Sequence, residues 1–354
     1  MRLTKLRETI KKEEVDALLI GQPQNRRYLS GFTGSAGWLL ITAERSVLAT
    51  DFRYYEQVGR QSPDWELAKI TAKFTDLLPD LLAALGVRRL GFESEHLTVA
   101  QLEAFREAAA KVEWQPLKQT VERLRMIKDE AEIEALRRSA ALNDEAFAHL
   151  LSVIEPGMTE RAVAWEIESY LRTHGASKVS FDPIVAAGPN GALPHARPGD
   201  RVIRAGEPIV IDMGCVLGGY CSDMTRTICL GKPKAKYLEI WNLVLRAQQT
   251  ALEGIHAGME GVEADALARQ VIEEAGYGDK FGHSLGHGVG LSVHEGPRAS
   301  KLSEDTLQAG MSLTVEPGIY LPGEFGVRIE DLVIIGEEEV ENLTHSPKEP
   351  VVGR

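Results

Sequence analysis

Two acid-bearing hairpins constrain this chain more than any other feature. The apolar run Pro208-Ile209-Val210-Ile211 ends on Asp212, and beyond the turn residues Leu217-Gly218-Gly219 a strand-like stretch to Ile228 carries Asp223. A turn centred on Leu217-Gly218 predicts that Asp212 and Asp223 face each other directly, with Cβ atoms about 5 Å apart. An unpaired carboxylate at the end of an apolar strand is costly, and a second like charge opposite it adds to the cost. A divalent cation between them would resolve both problems. A protonated pair, or two aspartates in an exposed loop, would also fit these residues.

The device recurs downstream, where Glu316 follows Ser312-Leu313-Thr314-Val315 and Glu330 follows Phe325-Gly326-Val327-Arg328-Ile329. The turn 321–326 lies midway between the two glutamates, so this hairpin also brings two carboxylates together; a solvent-facing glutamate on an edge strand is the plainer alternative. Between the hairpins, Phe281 to Arg298 holds His283, His287 and His294 among Gly282, Gly286, Gly288 and Gly290. So many glycines argue against a helical His-x-x-x-His zinc site, and they let backbone and ligand approach closely. Taken singly, each histidine also suits a packed or surface role. Four carboxylates and an imidazole make a hard, oxygen-rich donor set. It suits two divalent cations, with manganese or cobalt fitting at least as well as zinc. Two cations about 3.5–4 Å apart are a design for hydrolysis.

The rest of the chain frames that region. Residues 1–121 alternate strand-like segments (17–20, 38–42, 47–50, 89–93) with helix-like ones (2–13, 73–86, 98–111), the texture of a small α/β domain. The pattern breaks around 113–116. A long helix is expected after the N-cap candidate Asp129, a second from Thr159 to Gly175, and further helices near 238–255 and 261–275. Residues 122–354 therefore read as an α+β domain about twice the size of the first. With 354 residues, 44% of them hydrophobic, two folded domains are expected. A net charge of -12 without a basic block argues against nucleic acid. No run approaches the roughly 20 apolar residues of a membrane span. The N-terminal segment reads as an amphipathic helix and not as a signal peptide, so a cytoplasmic protein is expected. Cys215, Cys221 and Cys229 are odd in number and form no C-x-x-C, which suggests reduced packing residues.

From His283 through His287 and His294 to Glu295 the residues run unbroken along the histidine signature of the metal-dependent Xaa-Pro peptidases. The chain resembles that family, the aminopeptidase P and prolidase group, and Tyr28–Gly37 and Thr50–Tyr55 extend the resemblance into the first domain. It implies an α/β N-terminal domain followed by an α+β pita-bread (creatinase/aminopeptidase-like) catalytic domain. It also implies a dinuclear metallo-exopeptidase that cleaves the Xaa-Pro bond of short peptides or dipeptides by attack of a metal-bridging hydroxide. Carried over residue by residue, Asp212 would chelate one metal, Asp223 and Glu330 would bridge both, and His287 and Glu316 would hold the other. Glu316 would shuttle the proton, while His195, in the loop Pro189–His195, and His294 would contact substrate and stabilise the intermediate. His283 would stand behind the ligands. Arg328, two residues before Glu330 and so on the same strand face, would orient a ligand carboxylate, or be an exposed edge-strand arginine. Arg298 would grip the substrate's terminal carboxylate, or be an ordinary surface arginine. A homodimer acting on proline-containing peptides, with no nucleic-acid or membrane partner, is the corresponding expectation. Methionine aminopeptidases usually lack such a first domain, and creatinase lacks these ligands. A catalytically inactive, peptide-binding relative of the same fold is the alternative from another class.

Overall fold

The computed structural model describes residues 2–353, which divide into two compact units with the boundary between residues 125 and 126. In the first, a six-stranded mixed sheet runs in the order β4-β3-β2-β1-β5-β6. Its strands are β1 (Ala17–Ile20), β2 (Trp38–Thr42), β3 (Ser46–Asp51), β4 (Glu66–Ile70), β5 (Arg89–Glu93) and β6 (Glu113–Leu117). Strands β4 and β6 were not expected from the sequence, and the supposed break at 113–116 is corrected to a strand. Both are edges of the sheet. There a half-exposed Glu66-Leu67-Ala68-Lys69-Ile70 and a strand containing Pro116 are tolerated, because one side needs no ladder partner. Trp38 stacks on Phe74 at 5.2 Å between ring centroids, and Phe105 meets both edge-on, which ties two helices to one face of the sheet.

The second unit is built from two helix pairs, each backing strands. Helix Glu130–Val153 begins at Asp129, whose side chain accepts from Glu132 N in a capping box, and helix Glu160–Thr173 begins at Thr159, which accepts from Ala162 N. Their apolar faces, with Phe147, Leu150, Val163, Ile167 and Leu171, pack on strands Ile184–Ala187, Pro208–Met213 and Met224–Leu230. Helices Ala235–Gly254 and Gly261–Glu274 do the same for Ser312–Val315, Gly318–Leu321, Phe325–Arg328 and Asp331–Ile335. The two halves meet where Glu330 N donates to Thr225 O at 3.0 Å and Arg328 N to Thr227 Oγ1 at 3.0 Å. Arg226 and Asp331, a fully buried ion pair at 2.8 Å, reinforce that junction. Cys215, Cys221 and Cys229 are all buried and free. Among the described residues no helix is long and apolar enough to cross a membrane.

Candidate metal centre

The first hairpin corrects the expected register. Thr225, not Asp223, pairs with Asp212, and Leu217 pairs with Tyr220 across the turn. Gly218 and Gly219 both have positive φ, 58° and 91°. Two consecutive left-handed residues are what a two-residue type I′ turn requires, and glycine takes them without a Cβ penalty. The turn therefore falls between the glycines, one step later than a turn on Leu217-Gly218. Ser222 N bonds Cys215 O, which leaves Asp223 opposite Gly214 and diagonal to Asp212. Because the pairing moves by two residues, both aspartates stay on one face.

In the second hairpin Gly318 pairs with Arg328 and Val315 with Asp331. Glu316 and Glu330 thus stand opposite each other between two ladders, at a break where Pro317 offers no N–H. The midway turn had suggested this meeting. His287 comes from strand Gly286–Gly288, drawn against Ser312–Val315 so closely that a Cβ on Gly286 would lie 1.7 Å from Thr314 O. His287 N donates to Thr314 Oγ1, and that hydroxyl donates to Glu316 Oε1 at 3.2 Å.

All ten residues singled out by sequence line one cavity of ≈ 400 Å³: His195, Asp212, Asp223, His283, His287, His294, Arg298, Glu316, Arg328 and Glu330. Donor atoms of Asp223, His287 and Glu330 lie within 4.8 Å of one another. His287 Nε2 is 3.7 Å from Asp223 and 3.6 Å from Glu316, beyond hydrogen-bond reach but suited to donors that share one cation. Its Nδ1 faces the carbonyl of Gly288 at 3.1 Å; a carbonyl can only accept, so Nδ1 carries the proton and Nε2 keeps its lone pair for the cavity. Burial holds this imidazole down at about 4, so it is neutral near pH 7.

The electrostatics of the carboxylates make the same point. Burial, then the charges of Glu330, Asp212 and Glu316, push Asp223 well above the usual carboxylate range. Glu330 is likewise raised well above that range, by burial and then by Glu316 and Asp212. Burial carries Glu316 up to about 8, with Arg328 opposing, and raises Asp212 against the same arginine. Four buried carboxylates cannot all stay ionised on the strength of one guanidinium. Asp212 Oδ1 is moreover buried without a hydrogen-bond partner among the described residues. An oxygen-rich set with one neutral imidazole fits divalent cations and supplies the charge they need.

Behind these residues lies a network that the sequence reading largely missed. Arg328 donates through Nη2 to Asp212, through Nε to Thr225 Oγ1 at 3.0 Å and through Nη1 to the Tyr320 hydroxyl at 2.8 Å. Thr225 in turn donates to Glu330 Oε2 at 2.6 Å. His283 Nδ1 faces the Ser284 carbonyl, so its Nε2 accepts from Tyr320 at 2.9 Å. Thr225 and Thr314 each stand two residues along a strand from a cavity carboxylate, and that period-2 spacing was a readable sign that they share its face. No local signal marks Lys128, whose ammonium is buried against Glu295 at 2.8 Å, beside His294. His195, His294 and Arg298 are exposed at the mouth of the cavity. Partial burial and then Arg298 hold His294 below the ordinary histidine value.

Comparison with known proteins agrees over the whole length. Residues 134–337 match the model of metallopeptidase family M24, and residues 2–127 match the creatinase/prolidase N-terminal domain. An Xaa-Pro dipeptidase of Pyrococcus furiosus is 38% identical over 349 residues, 98% of this chain and 99% of that one. A solved Xaa-Pro dipeptidase from Bacillus anthracis superposes with a TM-score of 0.97 at 44% identity, covering 99% and 98% of the two chains. An X-Pro aminopeptidase from Thermotoga maritima does so with 0.91 at 38%, covering 96% and 98%. The expected architecture, an α/β domain followed by a pita-bread domain, is that of these neighbours. The chain belongs to metallopeptidase family M24 and carries the N-terminal domain of the creatinase/prolidase type.

Proposed function

We propose that this protein is a two-metal exopeptidase that hydrolyses the bond between an N-terminal residue and a following proline, in dipeptides and short peptides. The observation that carries the reading is the gathering of Asp212, Asp223, Glu316 and Glu330 with a neutral His287 around one cavity. Asp212 would hold one cation, His287 and Glu316 the other, and Asp223 and Glu330 both. Manganese is the cation we favour, with cobalt and zinc compatible with the same donors. When bound, such a pair would polarise the scissile carbonyl and acidify the attacking water.

The chain's own groups do the rest. Glu316, steadied by Thr314, takes the proton of the water and delivers it to the proline nitrogen as the carbon–nitrogen bond breaks. That nitrogen carries no hydrogen of its own in the peptide, so it must receive one to leave as the secondary amine of proline. His195 and His294, at the mouth, donate to the oxygen that gains charge during attack. Arg298, on the same wall, grips the carboxylate of a dipeptide's proline.

The test is product analysis of metal-stripped protein, with and without manganese, on Ala-Pro and Ala-Pro-Gly. Manganese-dependent release of proline from Ala-Pro is the expected result. Alanine plus Pro-Gly from the tripeptide would widen the substrate class to longer peptides. Peptide binding without turnover under manganese, cobalt and zinc would overturn the enzymatic reading in favour of a peptide-binding protein.

A further inference from the structure

His195 sits on a loop that leaves strand Ile184–Ala187, passes through the 3-10 turn Gly188–Ala192 and returns at Gly199. Its ring is exposed, so its place over the cavity is set by the backbone on either side. Both ends of that loop close on a single side chain. Glu160, the first residue of helix Glu160–Thr173, is 0% exposed. Its Oε1 accepts from Ala187 N at 2.9 Å and Asn190 Nδ2 at 3.0 Å. Its Oε2 accepts from the same Asn190 nitrogen at 3.1 Å and from Gly199 N at 3.2 Å. Backbone bonds from Glu160 N to Arg201 O and from Arg161 N to Gly199 O lay the returning segment along the helix start. On its far side the loop touches the metal centre, for Arg328 Nη1 reaches Pro194 O at 3.4 Å.

A carboxylate is tolerated at a fully buried position only while its oxygens accept hydrogen bonds, since each bond offsets part of the desolvation cost. Burial of Glu160 and order in the loop are therefore one event. The helix start adds a favourable field for the negative charge. An apolar residue would fill the same space but leave the N–H groups of Ala187 and Gly199 without acceptors.

We infer that Glu160 is the positioning residue for His195: its carboxylate ties the two ends of loop 187–199 together and so fixes where the imidazole meets the substrate. This rests on the use of His195 proposed above. Misplacing a substrate-facing group by about 1 Å costs on the order of 100-fold in rate, which sets the expected scale.

The experiment is a double-mutant cycle of Glu160→Gln and His195→Ala in the manganese-loaded enzyme on Ala-Pro, with amide exchange of residues 187–199 followed in parallel. Glu160→Gln keeps the shape of the side chain but turns a donor towards N–H groups. We expect it to lower kcat/KM roughly 10- to 100-fold, to leave metal content unchanged, and to speed exchange at Ala187 and Gly199 but not at 283–299. The double variant is expected to be no slower than His195→Ala alone. Multiplying losses, or wild-type activity and exchange in Glu160→Gln, would overturn the inference. If His195→Ala itself retains full turnover, the proposed use of His195 fails. The exchange data then decide alone: faster exchange keeps Glu160 as the clamp of the loop, and unchanged exchange removes it.

Discussion

The two halves of the second unit follow one plan, a helix pair behind an acid-bearing hairpin, yet they hold their loops with different chemistry. In the first half a lone carboxylate, Glu160, gathers N–H groups at 187, 190 and 199. In the second, an ion pair on helix Gly261–Glu274 does the work. Arg269 donates to the carbonyls of Phe281 and His283, both at 2.8 Å, and Asp265 Oδ1 accepts from Leu285 N at 3.0 Å. The reason lies in what each loop presents. A loop that turns only donors inward is satisfied by one acceptor, whereas a loop that turns carbonyls inward needs a buried cation, and that cation needs a counter-ion. The hairpins differ in the same spirit. A two-residue turn sets the aspartates diagonally, and the longer turn with a break at Pro317 sets the glutamates face to face.

The most severe test removes one bridging carboxylate from each half. Asp223→Ala and Glu330→Ala are each expected to lower turnover by at least roughly 10³-fold with an unchanged circular dichroism spectrum; full activity in either would mean that one half suffices. Next come the clamps. Arg269→Met strands a buried Asp265 and should cost about 3–5 kcal/mol in urea unfolding, against about 1–3 kcal/mol for Glu160→Gln, which strands neutral donors only. Equal costs would erase the proposed distinction. Arg298 belongs to the second half alone: Arg298→Ala should raise KM for Ala-Pro roughly 10- to 100-fold, the value of a charge-assisted bond, and leave Ala-Pro-Gly much less affected. The smallest effect concerns the turns. Gly218→Ala and Gly323→Ala, at φ of 58° and 77°, should each cost about 1 kcal/mol and leave kcat unchanged; a larger loss of activity would show that turn geometry reaches the metal centre.

Much of this was legible along the chain, and for local reasons. The helices at 130–153 and 160–173 announce themselves through Asp129 and Thr159, whose short side chains cap the helically spaced apolar runs that follow. The acid-bearing hairpins are legible because both partners lie within a few residues of one turn. Where the reading slipped, the cause was equally local. The type I′ preference of Gly218-Gly219 overrides the symmetry of Asp212 and Asp223 about the turn, and two polar or proline-containing edge strands carry no alternating pattern to detect.

Sequence by itself determined which side chains had to be dealt with: four carboxylates in apolar strands and a histidine among glycines, none of which can be buried alone at tolerable cost. Only the tertiary structure decided which distant groups meet. Arg328 reaches Asp212 across 116 residues, Lys128 reaches Glu295 across 167, and Glu160 closes on Gly199 across 39. Spacing encodes neighbours on one strand or helix face. A charge-assisted bond between distant segments depends instead on where the whole hydrophobic core places two backbones, and on which of them is left with an unpaired donor or acceptor.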